Sequence, residues 1–531
     1  MKLKTTSLNR NSNVIATQRK DDTKNPEDCL LNVGGPTKRI GEPVKTTGKC
    51  GTFCLMASAF LLFSWGIESL VYIPFQTFMD QRIKMIPGFP AYEWWLHPPD
   101  EVLMKVYVFN VTNSERFLNG TDKKLRIKEI GPLIYREKLT HSNPIFNENG
   151  TFTYTANRTA IFLPEMNTIS LNDSIVVPNL AVLLMPAYFY DASMIVKLGI
   201  NIMIRTYNAQ PLVKTTIHNF LWNMTDPVLM PAQKIAPSLV PTTNVGILDR
   251  IYSNFIDNVT VFIGSKHGHG KFFTIDRYDG SDNLPNSRKC ENKYENASEG
   301  VSYPQYLSKN YTIKYWRKTL CKVAELLYND EQYLYGVKAF RYVLDPFTYN
   351  RTQPSHKDCY KGVGDPLPNG LADVSSCYFG YPMAASFPHY LYADDVVKSY
   401  VEGLQPDEDK HGSYVILEPF TGIPLQGKAR SQINLVMKKF WGFGEKIQRF
   451  SDLTVPLCWI EYYQVGIPAY IQNLTFFVVV LVPLGQLPFS LVLVSSSMAL
   501  FYLCWFRWKK RREKQLLRNK ILTFESEKFI K

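Results

Sequence analysis

The stretch from residue 51 to residue 75 reads GTFCLMASAFLLFSWGIESLVYIPF, and its one charged side chain is Glu68 near the far end. About 20 consecutive apolar residues are enough for a helix to cross the hydrocarbon core of a bilayer. The stretch lies too far from Met1, and is too long, to be a cleaved signal peptide. We therefore predict a permanent first transmembrane helix over residues 51–75.

A second apolar stretch, residues 474–506, is also long enough to span a bilayer with some tilt. It contains Pro483 and Pro488, which membrane helices tolerate because neighbouring groups satisfy the freed carbonyls. The two spans separate a tail over residues 1–50, a central domain over 76–473 and a tail over 507–531. The mildly negative mean hydropathy of the chain excludes a polytopic transporter.

Basic residues near the spans predict the orientation of the chain. The cluster WFRWKKRREK begins at Trp505, and residues 1–50 hold about ten Lys and Arg against about five acids. Both tails are therefore predicted to be cytoplasmic, with the central domain outside. Most of the formal net charge of +13 comes from these tails, so nucleic acid is not an expected partner. Cys50, Cys54 and Cys504 are candidates for palmitoylation at the membrane face.

Glycosylation sequons give an independent test of this topology. Asn-x-Ser/Thr occurs more often between the spans than chance predicts, and in neither tail. This distribution predicts a glycosylated domain in the lumen or outside the cell. The candidate sites are Asn110, Asn119, Asn149, Asn157, Asn172, Asn223, Asn258, Asn296, Asn310, Asn350 and Asn473.

The central domain has the composition of many short strands, which are cut by Pro, Gly and Asn. MKVYVFNVTN from Met104 alternates like a strand, and LRIKEIGPLIYREKLTH from Leu125 predicts two strands joined by a Gly-Pro turn. NGTFTYTANRTAIFLPE from Asn149 continues the hairpin. Residues 179–222 instead predict two or three helices interrupted by Pro186 and Pro211, and residues 319–334 are a weaker helical candidate. The predicted class is α+β with a largely antiparallel β domain.

Five cysteines lie in the central domain: Cys290, Cys321, Cys359, Cys377 and Cys458. An oxidising compartment favours two disulfides and one leftover thiol, and spacing alone leaves the pairings open. Cys458 lies in the apolar run VPLCWIEYY, so a buried free thiol is expected there.

No catalytic constellation is found in the sequence. GxSxG, HExxH and CxxC are absent, so the chain is not expected to be an enzyme. GSKHGHGK from Gly264 contains His267 and His269, but it predicts a turn between two strands rather than a metal or phosphate site. Asp394 and Asp395 are expected in a solvated loop or at a helix cap. No metal or cofactor is expected.

Two nearby segments carry a family likeness, VYVFNVTNSERFLNG from Val106 and KEIGPLIYRE from Lys128. They resemble the signature of the class B scavenger receptor family, which includes fatty acid translocase, lysosomal integral membrane protein II and insect sensory neuron membrane proteins. Matches continue in the expected order through KAFRYVLDP from Lys338, SFPHYLYADDVV from Ser386 and LEPFTGIPLQGKARSQINL from Leu417. The resemblance covers nearly everything between and including the spans.

The resemblance implies an antiparallel β-barrel-like domain with an internal lipid tunnel, capped by a membrane-distal helical bundle that receives ligands. Arg205 occupies the position of an apical basic residue, with Lys197 and Lys214 nearby. A guanidinium can bind a carboxylate or phosphate bidentately, which gives this role a physical basis.

The family pattern also implies disulfides between Cys290 and Cys359 and between Cys321 and Cys377. A third bridge found in some members requires cysteines that this chain lacks.

The expected function is a receptor that captures lipids, sterols or lipoprotein particles and passes hydrophobic ligands to the membrane, with homo-oligomerisation left open. The expected location is the plasma membrane, or alternatively an endosomal or lysosomal membrane. One alternative is a trafficking receptor for a soluble protein. The candidate dileucine sorting signals EDCLLN and EKQLL, however, place the acid one residue too close to the Leu pair. A two-span ion channel is disfavoured because the central domain has few cysteines. A membrane-tethered hydrolase is disfavoured because the sequence has no nucleophile motif.

Overall fold

The computed structural model describes residues 47–71, 74–99, 101–253, 255–285, 293–350, 367–378 and 380–528. Its contacts separate two units, residues 59–500 and residues 1–58 together with 501–531. The described part of the second unit is the N-terminal end of the first helix and the C-terminal end of the last helix. Every strand in the described residues lies in the first unit.

The elements are numbered in chain order. The α-helices are α1 Thr47–Val71, α2 Pro74–Ile83, α3 Pro90–Leu96, α4 Ser114–Leu118, α5 Leu180–Tyr188, α6 Met194–Thr206, α7 Ile217–Trp222, α8 Leu229–Ile235, α9 Ile247–Tyr252, α10 Asp395–Lys398, α11 Glu408–His411, α12 Glu445–Gln448, α13 Ala469–Phe476 and α14 Val482–Lys528. The strands are β1 Val102–Val111, β2 Leu125–Phe146, β3 Thr151–Phe162, β4 Ser174–Pro178, β5 Leu212–Thr216, β6 Ile256–Phe262, β7 Ile275–Tyr278, β8 Ala297–Ser298, β9 Ile313–Arg317, β10 Lys322–Leu334, β11 Val337–Leu344, β12 Ala372–Asp373, β13 Met383–Ser386, β14 Val401–Glu402, β15 Tyr414–Leu417, β16 Pro424–Val436 and β17 Thr454–Gln464.

Among the described residues, two helical segments are long and apolar enough to cross a membrane, Gly51–Val71 and Ala469–Thr523. The second includes a π-helical turn, Phe477–Leu481, immediately before Pro483. Such a turn accommodates the carbonyls that a proline leaves unpaired. Both segments coincide with the predicted spans, although α14 continues beyond residue 506 into the basic cluster.

The two spans pack closely through small and polar side chains. A Cβ added to Gly66 would lie 2.8 Å from Cγ2 of Val494, so the helices approach most closely at a glycine. Ser69 and Ser490 share a 2.6 Å hydrogen bond, and the hydroxyl of Ser497 donates to the carbonyl of Ala59 at 2.7 Å. Small residues and interhelical hydrogen bonds are the usual basis of helix association in lipid.

The central domain is built on one 15-stranded sheet. Twelve of its strands follow the path β7-β6-β3-β2-β1-β17-β16-β15-β11-β10-β9-β8, and β12, β13 and β14 pair beside this path. Neighbours along this path are antiparallel except β8 and β9. The sheet curls into a nearly closed barrel. The predicted α+β class with a largely antiparallel sheet is confirmed, as are the strands from Met104 and from Asn149.

The predicted Gly-Pro turn is wrong, because β2 runs without interruption through Gly131 and Pro132. The pairing of β2 with β1 shifts there, so that an extra residue is accommodated opposite Tyr107. A Cβ on Gly131 would lie 2.6 Å from Cδ1 of Tyr107. Glycine is therefore required by the close approach of the two strands and not by a change of direction.

The weaker helical candidate over residues 319–334 is also wrong. Apart from a short 3-10 turn, Lys318–Leu320, these residues form strand β10, which pairs with β9 on one side and β11 on the other. The apolar spacing in this segment fits both the helical period of about 3.6 residues and the strand period of about two residues. Two flanking strands decide the outcome, because tertiary pairing overrides a weak local preference.

A helical layer covers one end of the sheet. The region over residues 179–222 contains α5, α6 and α7, which confirms the predicted helices, but Pro186 lies inside α5 instead of interrupting it. The small sheet of β4 and β5 joins this layer. Leu183, Phe220 and Leu221 are fully buried and belong to the main hydrophobic core.

Candidate functional site

A large cavity lies at the end of the barrel that adjoins the spans. Its volume is about 860 Å³, within the range of about 300–1,000 Å³ that is usual for ligand sites. Residues of α3, which closely follows the first span, line one side. Ile467, just before the second span, and Ile471, in its first turn, line another. Trp94, Leu326 and Leu344 contribute further apolar surface.

One wall of this cavity is charged and almost completely paired. Arg317, at the end of β9, donates to Glu137 of β2 at 2.7 Å and lies 3.9 Å from the ring centre of Tyr462 on β17. The hydroxyl of Tyr252 donates to the same carboxylate at 2.9 Å. Although burial opposes it, Glu137 raises the pKa of Arg317 above its usual value. Arg317 is therefore held in its charged form.

A second group of charges joins the two edges of the curled sheet. Arg158 of β3 lies 3.4 Å from Glu299, which follows β8, and 4.0 Å from Asp257 of β6. Lys318, just after β9, binds Asp257 at 2.5 Å. Burial is the largest effect and lowers the pKa of Arg158, but Glu299, Glu137 and Tyr278 together outweigh it, so the pKa is raised overall. Ion pairs thus connect β3 and β6 to β8 and β9.

Aromatic rings reinforce the seam at which the two edges of the curled sheet meet. Tyr278 of β7 lies 5.6 Å from Tyr294 and 5.5 Å from Trp316 of β9, between ring centres, and the latter two rings are 4.9 Å apart. Edge-to-face contacts of this kind add to the stability that burial gives. The seam therefore consists of side chains with paired charges and a packed aromatic cluster.

A second void, of only about 10 Å³, adjoins this cavity on the side of the helical layer, and Thr319, Ser431 and Tyr462 line both. Ile251 and Tyr378 line the smaller void only. Packed side chains around Tyr462 therefore separate the large cavity from the core beneath the helices.

The basic residues predicted for ligand reception lie on two consecutive elements of the helical layer. Arg205 is exposed in the last turn of α6, and Lys214 is exposed on β5. Lys197 is only 1% exposed, and its ammonium lies 4.6 Å from the ring centre of Trp441 and 5.8 Å from that of Phe443. The structure therefore presents two of the three cations to solvent.

The outer face of α6 is unusually apolar for an exposed surface. Ile195 is 83% exposed, and Leu198 and Ile202 are more than half exposed. Trp441 lies beside the helix and is also exposed. An apolar surface of this kind next to Arg205 can hold an amphipathic ligand.

The cysteine predictions can be followed only in part. Cys321 and Cys377 form a disulfide, whereas Cys290 and Cys359 lie outside the described residues. Cys458 is a buried free thiol, as expected, and burial raises its pKa to about 12. In the unit formed by residues 1–58 and 501–531, Cys54 is exposed and Cys504 is buried.

The candidate glycosylation sites differ in exposure. Those with exposed side chains are Asn119, Asn149, Asn172, Asn223, Asn258, Asn310 and Asn473. Those that are partly buried are Asn110, Asn157, Asn296 and Asn350. Asn110 accepts a 2.8 Å hydrogen bond from the backbone N–H of Val176 and so joins β1 to β4.

The acidic and histidine motifs have structural contacts. The segment from Gly264 connects β6 to β7 as predicted, and its His269 contacts Gln305 at 2.7 Å and Asp80 at 3.2 Å. Asp394 precedes α10 and accepts from the backbone of Asn369 at 3.2 Å, which confirms the loop or cap role. Among the described residues no cluster of His, Cys, Asp and Glu could hold a metal ion.

Sequence reasoning missed the charged wall of the cavity. Glu137 and Arg158 lie on the consecutive strands β2 and β3, but Arg317 lies far along the chain on β9, so the sequence does not show that these charges meet. A usable signal was the presence of charges at positions of β2 and β3 where the alternation demands a buried side chain.

Comparisons with known proteins agree with the fold. A family model described as the CD36 family matches residues 50–508. Scavenger receptor class B member 1 of Cricetulus griseus is 27% identical over 387 residues, which cover 72% of this chain and 74% of that protein. Lysosome membrane protein 2 of Rattus norvegicus is 29% identical over 408 residues, which cover 75% of this chain and 83% of that protein.

Proposed function

This chain belongs to the CD36 family as a class B scavenger receptor-type membrane protein, and from that premise we propose that it binds lipids or lipoprotein-like ligands outside the membrane and passes hydrophobic ligands through its interior to the bilayer. The observation that carries the proposal is the cavity of about 860 Å³ beside the residues that lead into both spans. A ligand in this cavity is already next to the membrane.

The driving force in this proposal is the burial of apolar surface. Each buried methylene contributes about 0.8 kcal/mol, so a long acyl chain binds well with few polar contacts. The apolar lining around Trp94, Leu326 and Ile471 suits such a chain. Selectivity is then loose along the tail and tighter at the head group.

Reception at the membrane-distal end is assigned to Arg205 and Lys214 beside the apolar face of α6. The side chain of Arg205 can pair with a carboxylate or phosphate while Ile202 and Leu198 bury apolar surface. Passage inward then requires the side chains around Tyr462 to move, because they separate the large cavity from the helical end.

The proposed topology places residues 76–473 outside the cytoplasm with glycans on the exposed sequons, and both termini inside. The proposed location is the plasma membrane. An endosomal or lysosomal membrane is the alternative, in which the apolar face of α6 binds a soluble protein that the chain carries; one relative is named as a lysosome membrane protein.

Photolabelling of the full-length protein in proteoliposomes tests the proposal. A photoactivatable fatty acid or sterol is added from the aqueous side, and labelled peptides are identified by mass spectrometry. We expect labels within residues 90–96 and 462–471, in addition to the spans. Labels confined to the spans would contradict passage through the interior.

The same assay tests Arg205. Arg205→Ala should lower the labelling of the cavity severalfold, because the first contact with the ligand is weakened. Arg277→Ala is the matched control, since Arg277 is exposed on β7 of the same domain. Equal labelling of both variants would remove Arg205 from the proposed path.

A further inference from the structure

The charges that line the large cavity are not balanced. Each acid in the lining has a basic partner in the lining: Glu101 with Arg136 at 2.7 Å, Glu137 with Arg317 at 2.7 Å and Glu299 with Arg158 at 3.4 Å. The lining holds four further cations. Arg430 is bound to Glu461 at 2.7 Å, whereas Arg82, Lys138 and Lys428 have no carboxylate at ion-pair distance within the described part of the chain.

Arg82 differs from the other two unpaired cations because it is held in place. Its Nε donates to the carbonyl of Thr421 at 3.0 Å, and its Nη2 donates to the hydroxyl of Ser302 at 2.9 Å. The guanidinium carbon lies 5.5 Å from the ring centre of Phe272. Among the described residues, no hydrogen bond uses Nη1. The fixed cation therefore retains a free donor group at the cavity.

The carboxylate that acts most on Arg82 is Glu418, but it is engaged elsewhere. Its oxygens accept from the backbone of Thr421 at 2.7 Å, from the hydroxyl of Thr421 at 2.5 Å and from the backbone of Phe420 at 3.1 Å. Glu418 thereby shapes the turn that supplies the Thr421 carbonyl to Arg82. Burial lowers the pKa of Arg82 to about 10, so the side chain stays charged at neutral pH.

We propose that Arg82 is an anion subsite of the cavity that binds the carboxylate of a long-chain acid, whose tail lies along the apolar lining. This inference rests on the proposed function and specifies the ligand at its membrane-proximal end. A single guanidinium matches a singly charged carboxylate, since charge-assisted hydrogen bonds from a fixed donor are strong. Trp94, Leu344 and Ile467 supply apolar surface for the tail.

Two ligands of equal chain length test the assignment on the full-length protein in amphipol at neutral pH. Palmitic acid and hexadecanol differ in the charge of the head group and share the same tail length. The unaltered protein should bind the acid at least about tenfold more tightly than the alcohol. Arg82→Gln should remove this preference and leave the affinity for the alcohol unchanged.

Lys138→Gln is the matched control, because Lys138 is an unpaired cation of the same lining but is exposed. It should keep the preference for the acid, and Arg82→Lys should keep part of it. Equal affinities in the unaltered protein, or a preference that persists in Arg82→Gln, would overturn the subsite. Because the first comparison uses unaltered protein, it holds even if the variants misfold. Absence of binding by either ligand would contradict the proposed function itself, and this inference with it.

Discussion

Glu137 and Arg317 form a 2.7 Å ion pair although their strands, β2 and β9, are not neighbours in the sheet. The pair therefore joins two parts of the barrel wall that no backbone pairing connects directly. Tyr462 stacks on the guanidinium and lines the large cavity. The same contact thus contributes to stability and limits the space available to a ligand.

Removal of one member of this pair should destabilise the domain strongly. Arg317→Ala leaves the Glu137 carboxylate buried without its partner, which costs about 3–5 kcal/mol in comparable cases. Denaturant unfolding of the purified protein measures the change. The double variant Glu137→Gln with Arg317→Gln should lose less than the sum of the single variants. Arg126→Ala, which removes an exposed and solvent-screened pair with Glu402, is the control and should change stability far less than Arg317→Ala.

The contact between the spans should be sensitive at one glycine. Gly66→Leu places a side chain where Val494 already lies, and overpacking of this kind costs about 1–3 kcal/mol. Thermal unfolding in detergent, together with cysteine cross-linking between the spans, measures the loss. Gly485→Leu is the control, because a Cβ at Gly485 meets no atom within 4 Å. Equal effects of the two substitutions would contradict the packing described here.

The disulfide should contribute measurably to stability. Cys321 and Cys377 are separated by 56 residues, and closure of a loop of this length stabilises a domain by about 4 kcal/mol in the chain-entropy description. Cys321→Ser with Cys377→Ser should lower the unfolding midpoint by a corresponding amount. Cys458→Ala removes a buried thiol that has no bridge and should have a smaller effect. A disulfide variant as stable as the unaltered protein would contradict this expectation.

A buried pair of histidines is expected to make the domain sensitive to acid. His411 stacks on His389 with ring centres 4.5 Å apart and accepts at Nδ1 from the backbone of Asp407. Burial, followed by His389 and Arg430, lowers the pKa of His411 to about 4, against the opposing charges of Glu129 and Asp407. The folded protein therefore binds the proton less readily than the unfolded chain, whose histidines titrate near about 6.5.

The contribution of His411 to the stability of the folded protein decreases as the pH falls. Above pH 6.5 neither state protonates His411, and the stability is fully present; as the pH falls from about 6.5 to about 4, the unfolded chain gains a proton and the folded state loses stability. His411→Gln should flatten this part of the profile of unfolding midpoint against pH. Parallel profiles for the variant and the unaltered protein would disprove the assignment.

The sequence predicts the elements whose signals are local. The apolar runs predict both spans, and the alternation from Met104 predicts β1. Residues 319–334 show the limit, because their spacing suits a helix and only the pairing of β10 with two strands decides against it. The position of Lys197 beneath Trp441 likewise depends on a loop that is distant in sequence.

The sequence offers a candidate only for the outer end of the site. Arg205 is named there through the family resemblance, and its role in ligand reception stays a prediction. Arg82 could not be identified, because its partners Thr421 and Ser302 come from segments more than two hundred residues away. No local sequence pattern predicts whether a cation has a carboxylate nearby in the folded barrel.

The position of β17 determines when the domain can fold during synthesis. It pairs with β1 on one side and β16 on the other, although β1 is the first strand to leave the ribosome and β17 is the last. Until residues 454–464 are made, β1 and β16 present unpaired edges that invite aggregation. The barrel is therefore completed only as the second span is being synthesised, and a chain that terminates earlier reaches the quality-control machinery with both edges open.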